Sequence, residues 1–221
     1  MNPAAERPLD VVVVGAGPAG LSAGLILARA RWRTLIVDSE RPANAASREV
    51  RGMLGHQDGP PAVLRRAGRE QVLAYPGVEI RRGEVTGVSR SEDGFGVEID
   101  GSSPVQTRVL LLTHGLNYEP PALAGVDRLW GNGVFHCPFC DGWEVRDAPL
   151  AVYGTEPPAL MQARLLTFWT DDVTLCTGGA ELDAEQAMGL VELGVEICEE
   201  PVRELQGTDG LERIVFEGGS D

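Results

Sequence analysis

The stretch LDVVVVGAGPAGLSAGLILARARWRTLIVD, residues 9–38, decides the fold class. Leu9–Val14 is a valine-rich run of the kind that forms a strand buried in a parallel sheet. Leu21–Arg31 has apolar residues at helical spacing, and Thr34–Val37 reads as a second buried strand that ends at Asp38. A strand, a helix and a strand in this order form a βαβ unit, so the sequence predicts an α/β fold.

The turn after the first strand has the spacing G-x-G-x-x-G, which is typical of dinucleotide-binding sites. Gly15 would permit the tight turn, Gly17 the close approach of a pyrophosphate, and Gly20 the close packing of helix on strand. The candidate cofactor-binding residues of this turn are Gly15, Ala16, Gly17, Pro18, Ala19 and Gly20. The start of the helix would direct N–H groups and its positive dipole end at the phosphates. Asp38 is placed to accept hydrogen bonds from ribose hydroxyls and would repel a 2′-phosphate, which favours FAD or NAD over NADP.

Two α/β halves follow each other along the chain. The sequence predicts a first domain over residues 1–117 and a second over residues 118–221, with a boundary rich in proline and glycine at Asn117–Gly125. An irregular crossover is predicted over residues 41–59. The other predicted helices are Pro61–Tyr75, Pro157–Trp169 and Glu181–Leu193. The other predicted strands are Val78–Arg82, Glu84–Arg90, Gly94–Ile99, Val109–Thr113, Pro149–Tyr153, Asp172–Cys176, Val195–Glu199 and Leu211–Phe216.

A pair of cysteines in HCPFCDG, residues 136–142, is the second motif with chemical content. Cys137 and Cys140 are separated by two residues and could close a small disulfide ring; at a helix N-terminus one thiol would be poised as a thiolate. Asp141 could move a proton to or from a leaving thiolate if burial raises its pKa. The alternatives are a zinc site, for which a second ligand pair is not evident, and inert thiols. Cys176 and Cys198 fall in predicted strands and are expected in the core.

The composition excludes some classes of partner. The chain has 221 residues and a formal net charge of −14, from 33 acidic and 19 basic residues. Such a surface repels phosphate backbones and anionic lipids, so neither nucleic acid nor a membrane surface is expected as a partner. The start MNPAAERPLD does not read as a signal peptide, and no apolar run is long enough to span a bilayer. The expected location is therefore the cytoplasm.

With GAGPAG followed by HCPFCDGWE, residues 136–144, the sequence resembles the low-molecular-weight thioredoxin reductases and their relatives. That resemblance implies a Rossmann-like FAD-binding domain followed by a second nucleotide-binding-type α/β domain that contains the CxxC motif. It implies that Cys137 and Cys140 form a disulfide that exchanges electrons with the flavin. Cys140 would then be the thiol next to the flavin, Cys137 the thiol that attacks the substrate, and Asp141 the acid-base residue.

The resemblance implies further FAD contacts outside the glycine-rich turn. Val85 occupies the position whose backbone holds the adenine, and Thr113 and Gly115 match an ATG-like turn beneath the flavin, from which His114 departs. The expected partner is a small dithiol or disulfide, or a thioredoxin-like protein. Relatives of this kind are usually homodimers, so the resemblance also implies a homodimer.

Three features depart from the family pattern. Where the second domain of the family has G-x-G-x-x-A for NADPH, residues 154–159 read GTEPPA, with Glu156 in place of the second glycine. The following strand ends in Cys176-Thr177-Gly178-Gly179, without the arginines that bind the 2′-phosphate. The sequence therefore predicts that NADPH or NADH binds there weakly or not at all. Nothing after Phe216 resembles the family's C-terminal return to the FAD domain, so a truncated chain or an incomplete FAD site is expected.

Three functions are compatible with these patterns. The first is an FAD-dependent, thioredoxin-reductase-like oxidoreductase, in which electrons pass between the flavin, the Cys137–Cys140 disulfide and an external disulfide or dithiol. The second is a dithiol oxidase that passes electrons to oxygen and does not use NADPH; such relatives often have histidine where this chain has Asp141. The third is a truncated, non-catalytic flavoprotein remnant.

Overall fold

The computed structural model describes residues 9–56 and 59–219, whose contacts divide them into two units. The first unit contains residues 9–45 and 59–118, and the second contains residues 46–56 and 119–219. Residues 46–56 belong by their contacts to the second unit, although the sequence predicts that they lie in the first domain. The N-terminal residues 1–8, which the sequence does not identify as part of a signal peptide, lie outside the described residues.

The first unit is built on a six-stranded sheet. Its elements are β1 Leu9–Val14, α1 Pro18–Arg29, β2 Thr34–Asp38, α2 Pro61–Leu73, β3 Val78–Arg82, β4 Val85–Ser91, β5 Gly94–Ile99 and β6 Val105–Leu112. The strand order is β3-β2-β1-β6-β5-β4. The strands β3, β2, β1 and β6 are parallel, and β4 and β5 continue the sheet in antiparallel pairs. This topology confirms the predicted α/β fold with a Rossmann-like parallel sheet.

Alternation along β1 explains why the sheet has a core on both faces. Val11 and Val13 pack on one side with Leu21 of α1 and Val72 of α2. Val12 packs on the other side, in a cluster with residues of β2 and β5. The helix α1 begins at Pro18, three residues before the predicted start, because proline has no N–H to lose at the first helical position.

The second unit has a smaller parallel sheet and a hairpin. Its elements are α3 Val126–Leu129, α4 Pro138–Asp141, β7 Leu150–Tyr153, α5 Pro157–Leu166, β8 Val173–Cys176, α6 Ala184–Val191, β9 Glu196–Cys198, β10 Val202–Gln206 and β11 Arg213–Phe216. Strands β7, β8 and β9 are parallel, and β10 pairs with β11 in an antiparallel hairpin. The sequence did not predict α3, α4 or β10.

Two helices of the second unit are shorter than the sequence predicts. The helix α5 ends at Leu166 rather than at Trp169, and α6 starts at Ala184 because the Asp183 side chain accepts hydrogen bonds from two N–H groups of its first turn. Among the described residues, no helix is both long and apolar enough to cross a membrane.

Candidate active site

The turn Gly15–Gly20 joins β1 to α1 in a conformation that depends on its glycines. Gly15 has a φ of +102°, and a Cβ at this residue would lie 2.5 Å from the carbonyl oxygen of Thr113. A Cβ on Gly20 would lie 1.9 Å from the carbonyl oxygen of Gly15, so only glycine allows α1 to pack this closely on the turn. By contrast, no atom lies within 4 Å of a Cβ placed on Gly17.

Open space at Gly17 is what a dinucleotide needs, because its pyrophosphate must approach the backbone there. Gly17 is also the N-cap of α1, and no side chain caps this helix end. Ala16 is buried, whereas Pro18 and Ala19 are exposed at the first helical turn. The residues of the turn therefore fit the pyrophosphate of FAD.

Thr113, the residue after β6, lies directly beside this turn. Its hydroxyl donates to the carbonyl oxygen of Val14 at 2.8 Å, and its N–H donates to the same carbonyl at 2.9 Å. Gly115 follows with a φ of +71°, a conformation that favours glycine. The structure thus brings Thr113 to the glycine-rich turn, with Gly115 two residues further along the chain.

Asp38 ends β2 and has two partners. The N–H of Glu40 donates to its carboxylate at 2.9 Å, and Arg69 of α2 pairs with the other oxygen at 2.6 Å. The N–H of Gly83 donates to the carbonyl oxygen of Asp38 at 3.0 Å, and Val85 follows two residues later at the start of β4. This hydrogen bond joins the end of β2 to the connection that leads to Val85, although β2 and β4 are not adjacent strands of the sheet.

The two cysteines of the CxxC motif lie at the start of α4. Cys137 is the N-cap and Cys140 lies within the helix, and their Sγ atoms are 2.7 Å apart. A disulfide bond of about 2.05 Å is therefore within easy reach of this pair. Cys137 is half-buried, whereas Cys140 is exposed as a residue. Gly142 follows α4 without room for a side chain, because a Cβ would lie 3.0 Å from the Trp169 ring.

The electrostatic surroundings of Cys140 oppose the thiolate. Partial burial of the sulfur, the contact with Cys137 and the charge of Asp141 raise the pKa of Cys140 to about 12. The sequence predicts a stabilised thiolate for one cysteine of the pair, and this cysteine is not Cys140. The physical reason is first the partial burial of the sulfur, then the contact with Cys137, and last the charge of Asp141.

Proton transfer by Asp141 requires that burial raise the pKa of its carboxyl group, and the structure has this effect. Its burial raises the pKa of the carboxyl group, Arg51 and His136 lower it, and Glu144 raises it. Arg51 pairs with Asp141 at 3.6 Å, with Glu144 at 3.3 Å and with Glu49 at 2.5 Å. Asp141 therefore holds its proton to higher pH than an ordinary aspartic acid and can supply it to a thiolate.

The second glycine-containing turn, between β7 and α5, differs from the first. Oε2 of Glu156 lies 3.2 Å from the position of a Cβ on Gly154, so the carboxylate turns back over the turn itself. Pro157 and Pro158 occupy the first two helical positions and have no N–H to offer. The third N–H, that of Ala159, donates to the carbonyl oxygen of Glu156 at 2.9 Å. These residues do not fit a pyrophosphate.

The strand that follows supports the same conclusion. The residues that follow β8 are Thr177, Gly178 and Gly179, none of which has a cationic side chain that could bind a 2′-phosphate. Cys176 is buried, as predicted, and Cys198 beside it on β9 is half-buried. Among residues 9–56 and 59–219, no group of three or more histidine, cysteine, aspartate or glutamate side chains could hold a metal ion.

Three features of these sites were missed from the sequence. The ion pairs of Arg51 and Arg69 could not be predicted, because neither arginine belongs to a motif. Each is far along the chain from its partner, which is Asp141 for Arg51 and Asp38 for Arg69. Pro157 and Pro158 were readable, since a proline pair at the start of a predicted helix removes two donors from any anion site.

Comparison with known proteins agrees with this geometry. The Pyridine nucleotide-disulphide oxidoreductase family model matches residues 9–211. A protein of Arthroderma benhamiae named "Probable thioredoxin reductase" is 30% identical over 192 residues, which are 84% of this chain and 47% of that protein. Thioredoxin reductase tcpT of Claviceps purpurea is 30% identical over 181 residues, 78% of this chain and 56% of that protein.

Among solved structures, that of HlmI has a TM-score of 0.89 and 40% identity, and the match covers 97% of this chain and 69% of HlmI. The chain spans about half the length of the two curated relatives. The family model nevertheless covers both the glycine-rich turn and the CxxC motif. The chain therefore belongs to the pyridine nucleotide-disulphide oxidoreductase family, whose cofactor is FAD.

Proposed function

We propose that the protein is an FAD-dependent, thioredoxin-reductase-like oxidoreductase that exchanges electrons between the flavin, the Cys137–Cys140 pair and an external disulfide or dithiol. The observation that supports this most directly is the pair of Sγ atoms 2.7 Å apart, next to the carboxyl group of Asp141. The family and the names of the relatives favour the same chemistry. Cys137, Cys140 and Asp141 are the proposed catalytic residues.

The reducing direction gives each of these groups a role. The thiolate of Cys137 attacks an external disulfide, and one substrate sulfur leaves and takes the proton of Asp141. The Asp141 carboxylate then accepts the proton of Cys140, whose pKa of about 12 keeps it protonated until this point. Cys140 attacks the sulfur of Cys137, which closes the internal disulfide, and the second substrate sulfur leaves and takes the proton that Asp141 received from Cys140. When bound and reduced, FAD would supply the two electrons that reopen this disulfide.

The FAD contacts in this proposal are those of the first unit. The backbone of Gly15, Ala16, Gly17, Pro18, Ala19 and Gly20 would surround the pyrophosphate; Pro18 has no N–H, and the N–H of Gly15 already donates to the carbonyl oxygen of Val37. Asp38 would bind the ribose, and the backbone of Val85 the adenine. Thr113 and Gly115 would lie under the flavin. The open space at Gly17 supports this assignment.

A second candidate function is that of a dithiol oxidase that does not use NADPH. In this direction the Cys137–Cys140 disulfide would accept two electrons and two protons from a dithiol, which becomes a disulfide. The same two electrons and two protons would then pass by way of the flavin to molecular oxygen, which becomes hydrogen peroxide. The turn at Glu156, Pro157 and Pro158 favours this candidate, because it offers no place for a pyrophosphate. Asp141 in place of histidine is the feature that favours the reductase.

One experiment tests the proposal and separates the two candidates. The protein loaded with FAD is mixed anaerobically with dithiothreitol, NADPH or NADH, and the flavin absorbance is followed. Bleaching by dithiothreitol that is lost in Cys137→Ser and Cys140→Ser, but kept in the control Cys198→Ser, is expected. Bleaching by NADPH would favour the reductase, and peroxide formation from dithiothreitol and oxygen alone would favour the oxidase. A flavin that no dithiol bleaches contradicts the proposal.

The partner and the setting are part of the proposal. The names of the relatives suggest a thioredoxin-like protein as the external disulfide, and a small dithiol or disulfide is the alternative. We expect a homodimer in the cytoplasm. Sedimentation of the purified protein tests whether it is a homodimer.

A further inference from the structure

One arginine of the second unit stands among three carboxylates near the dithiol. The guanidinium of Arg51 reaches Glu49 through NH2 at 2.5 Å, Asp141 through NH1 at 3.6 Å and Glu144 through Nε at 3.3 Å. The side chains of Arg51 and Asp141 are 26% and 18% exposed, so water screens this pair only partly. Arg51 is thus shared among three anionic groups rather than paired with one.

The chain segment that contains Arg51 is held in the second unit by its backbone. The carbonyl oxygen of Ala46 lies so close to Gly131 that a Cβ there would be 2.6 Å away, and Gly131 has a φ of +76°. His56 closes a turn at the other end of the segment by donating its N–H to the carbonyl oxygen of Met53 at 3.0 Å. The first contact joins the segment to the loop at Gly131 and the second is a turn within the segment, and the ion pairs of Arg51 join it to Asp141 and Glu144.

We propose that Arg51 is a positioning residue for the dithiol chemistry: it orients the Asp141 carboxyl group next to Cys140 and balances the negative charge of Glu49 and Glu144. This inference rests on the proposed function, because only thiol-disulfide exchange gives the Asp141 proton a role. Arg51 does not touch the sulfur atoms and acts through Asp141.

Several titratable and charged groups face Asp141. Arg51 and Glu49 belong to the segment 46–56, Glu144 follows α4, and His136, Cys137 and Cys140 lie just before and within α4. Burial raises the pKa of Asp141, and the charge of Arg51 opposes this effect, whereas that of Glu144 adds to it. Removal of the Arg51 charge should therefore raise the pKa of Asp141 further, and removal of the Glu144 charge should lower it.

The experiment measures the titration of Asp141 directly. The FAD-loaded 221-residue chain is labelled with carbon-13 at aspartate carboxyl groups and kept reduced, and the Asp141 signal, assigned with Asp141→Asn, is followed by NMR against pH. Arg51→Gln should move the titration to higher pH and Glu144→Gln to lower pH. Arg51→Lys should restore part of the difference. The control Arg146→Gln removes a charge that instead lies 4.0 Å over the Trp143 ring, and it should change little.

The opposite signs distinguish an electrostatic role from a structural one, since a loosened fold would move both variants in the same direction. Unchanged titration in Arg51→Gln, or shifts of the same sign in both variants, would overturn the proposal. A second measurement follows exchange of the reduced pair with dipyridyl disulfide over the same pH range. If Asp141 shifts as expected but the exchange rate ignores its ionisation, the proposed function of Asp141 fails while the charge effect of Arg51 stands.

Discussion

At the scale of single residues, the proposed chemistry depends on the proton of Asp141. The carboxyl group lies beside two thiols whose Sγ atoms are 2.7 Å apart, and burial raises its pKa. Partial burial and the contact with Cys137 raise the pKa of Cys140 to about 12, so the thiol form dominates at neutral pH. A nearby base is therefore required whenever Cys140 acts as a nucleophile.

Asp141→Asn should slow exchange with an external disulfide. General acid-base groups typically contribute about 10²-fold to 10⁴-fold to a rate, so a loss of roughly 10²-fold or more is expected. The remaining rate should no longer follow the ionisation of a carboxyl group on the acid side. Stopped-flow measurement with dipyridyl disulfide checks both points, and a wild-type rate in Asp141→Asn would remove Asp141 from the mechanism.

The same substitution should change stability with a definite sign. Because the pKa of Asp141 is higher in the folded chain than its ordinary value of 3.8, ionisation favours unfolding. The contribution of this group to stability is greatest below pH 3.8 and declines as the pH rises through the folded-state pKa. The free energy of unfolding of Asp141→Asn minus that of the wild type should therefore be larger at neutral pH than at acid pH. Urea denaturation at the two pH values measures it, and the opposite trend would contradict the pKa direction.

At the scale of elements, the start of α1 and the start of α5 show how two similar turns differ in what they can bind. The first has open space at Gly17 and a single proline at the first helical position. The second has two prolines and a carboxylate folded back over Gly154. Since an anion at a helix N-terminus is bound by free N–H groups and the helix dipole, only the first turn suits a pyrophosphate.

Gly17→Ala and Gly20→Ala should separate flavin binding from folding. The Cβ in Gly17→Ala enters open space, so the fold should persist while the phosphate is kept away from the backbone. The Cβ in Gly20→Ala would lie 1.9 Å from the Gly15 carbonyl oxygen. This clash should lower the free energy of unfolding by ~1–3 kcal/mol or more, as overpacking typically does. Thermal unfolding of the flavin-free variants and flavin content per chain test this. Full flavin content in Gly17→Ala would contradict the placement of the pyrophosphate.

Pyridine nucleotides should bind weakly or not at all at the α5 turn. A carboxylate about 4 Å from a phosphate charge costs roughly 4 kcal/mol at an effective dielectric constant near 20. Glu156→Gly should relieve this repulsion but leave binding weak, because Pro158 still lacks an N–H; the double variant Glu156→Gly/Pro158→Ala should bind better than either single one. Calorimetric titration with NADPH and NADH measures this, and micromolar binding to the wild type would contradict it.

At the scale of the whole molecule, the net charge of −14 should select among substrates of different charge. Near the cysteine pair, Glu49 and Glu144 both pair with Arg51 and together outweigh its single positive charge, so the local charge has the same sign as the total even when Asp141 is protonated. Long-range attraction raises association rates for ligands of opposite charge, and salt removes the effect because the Debye length is only about 10 Å at 0.1 M.

Cationic cystamine should therefore oxidise the reduced pair faster than anionic dithiodipropionate at low salt, and the ratio of the two rates should fall as sodium chloride is added. Neutral hydroxyethyl disulfide serves as the control, with a rate that salt hardly changes. Stopped-flow kinetics gives the three rates. A ratio that stays constant with salt would mean that the protein field does not act at the cysteine pair.

The α/β fold could be predicted because its evidence is local. The valine-rich run of β1, the glycines of the turn and the apolar run of β2 each fix the conformation of a few neighbouring residues. The same is true of the CxxC spacing, since two thiols one helical turn apart are neighbours in almost any context. The strand β10 escaped prediction because Val202–Gln206 is short and half polar, and it is a strand only through its pairing with β11.

Contacts between distant residues were decided by the tertiary structure alone. Residues 41–59 have no periodicity, so nothing in their sequence indicates that 46–56 pack in the second unit or that Arg51 meets Asp141. The same holds for Arg69, which reaches Asp38 from another element. The pKa of Cys140 and that of Asp141 belong to this class as well, because desolvation and nearby charge depend on which groups the fold assembles. The reactive groups could thus be identified from local motifs, whereas the charges that surround them depend on contacts between residues far apart in the chain.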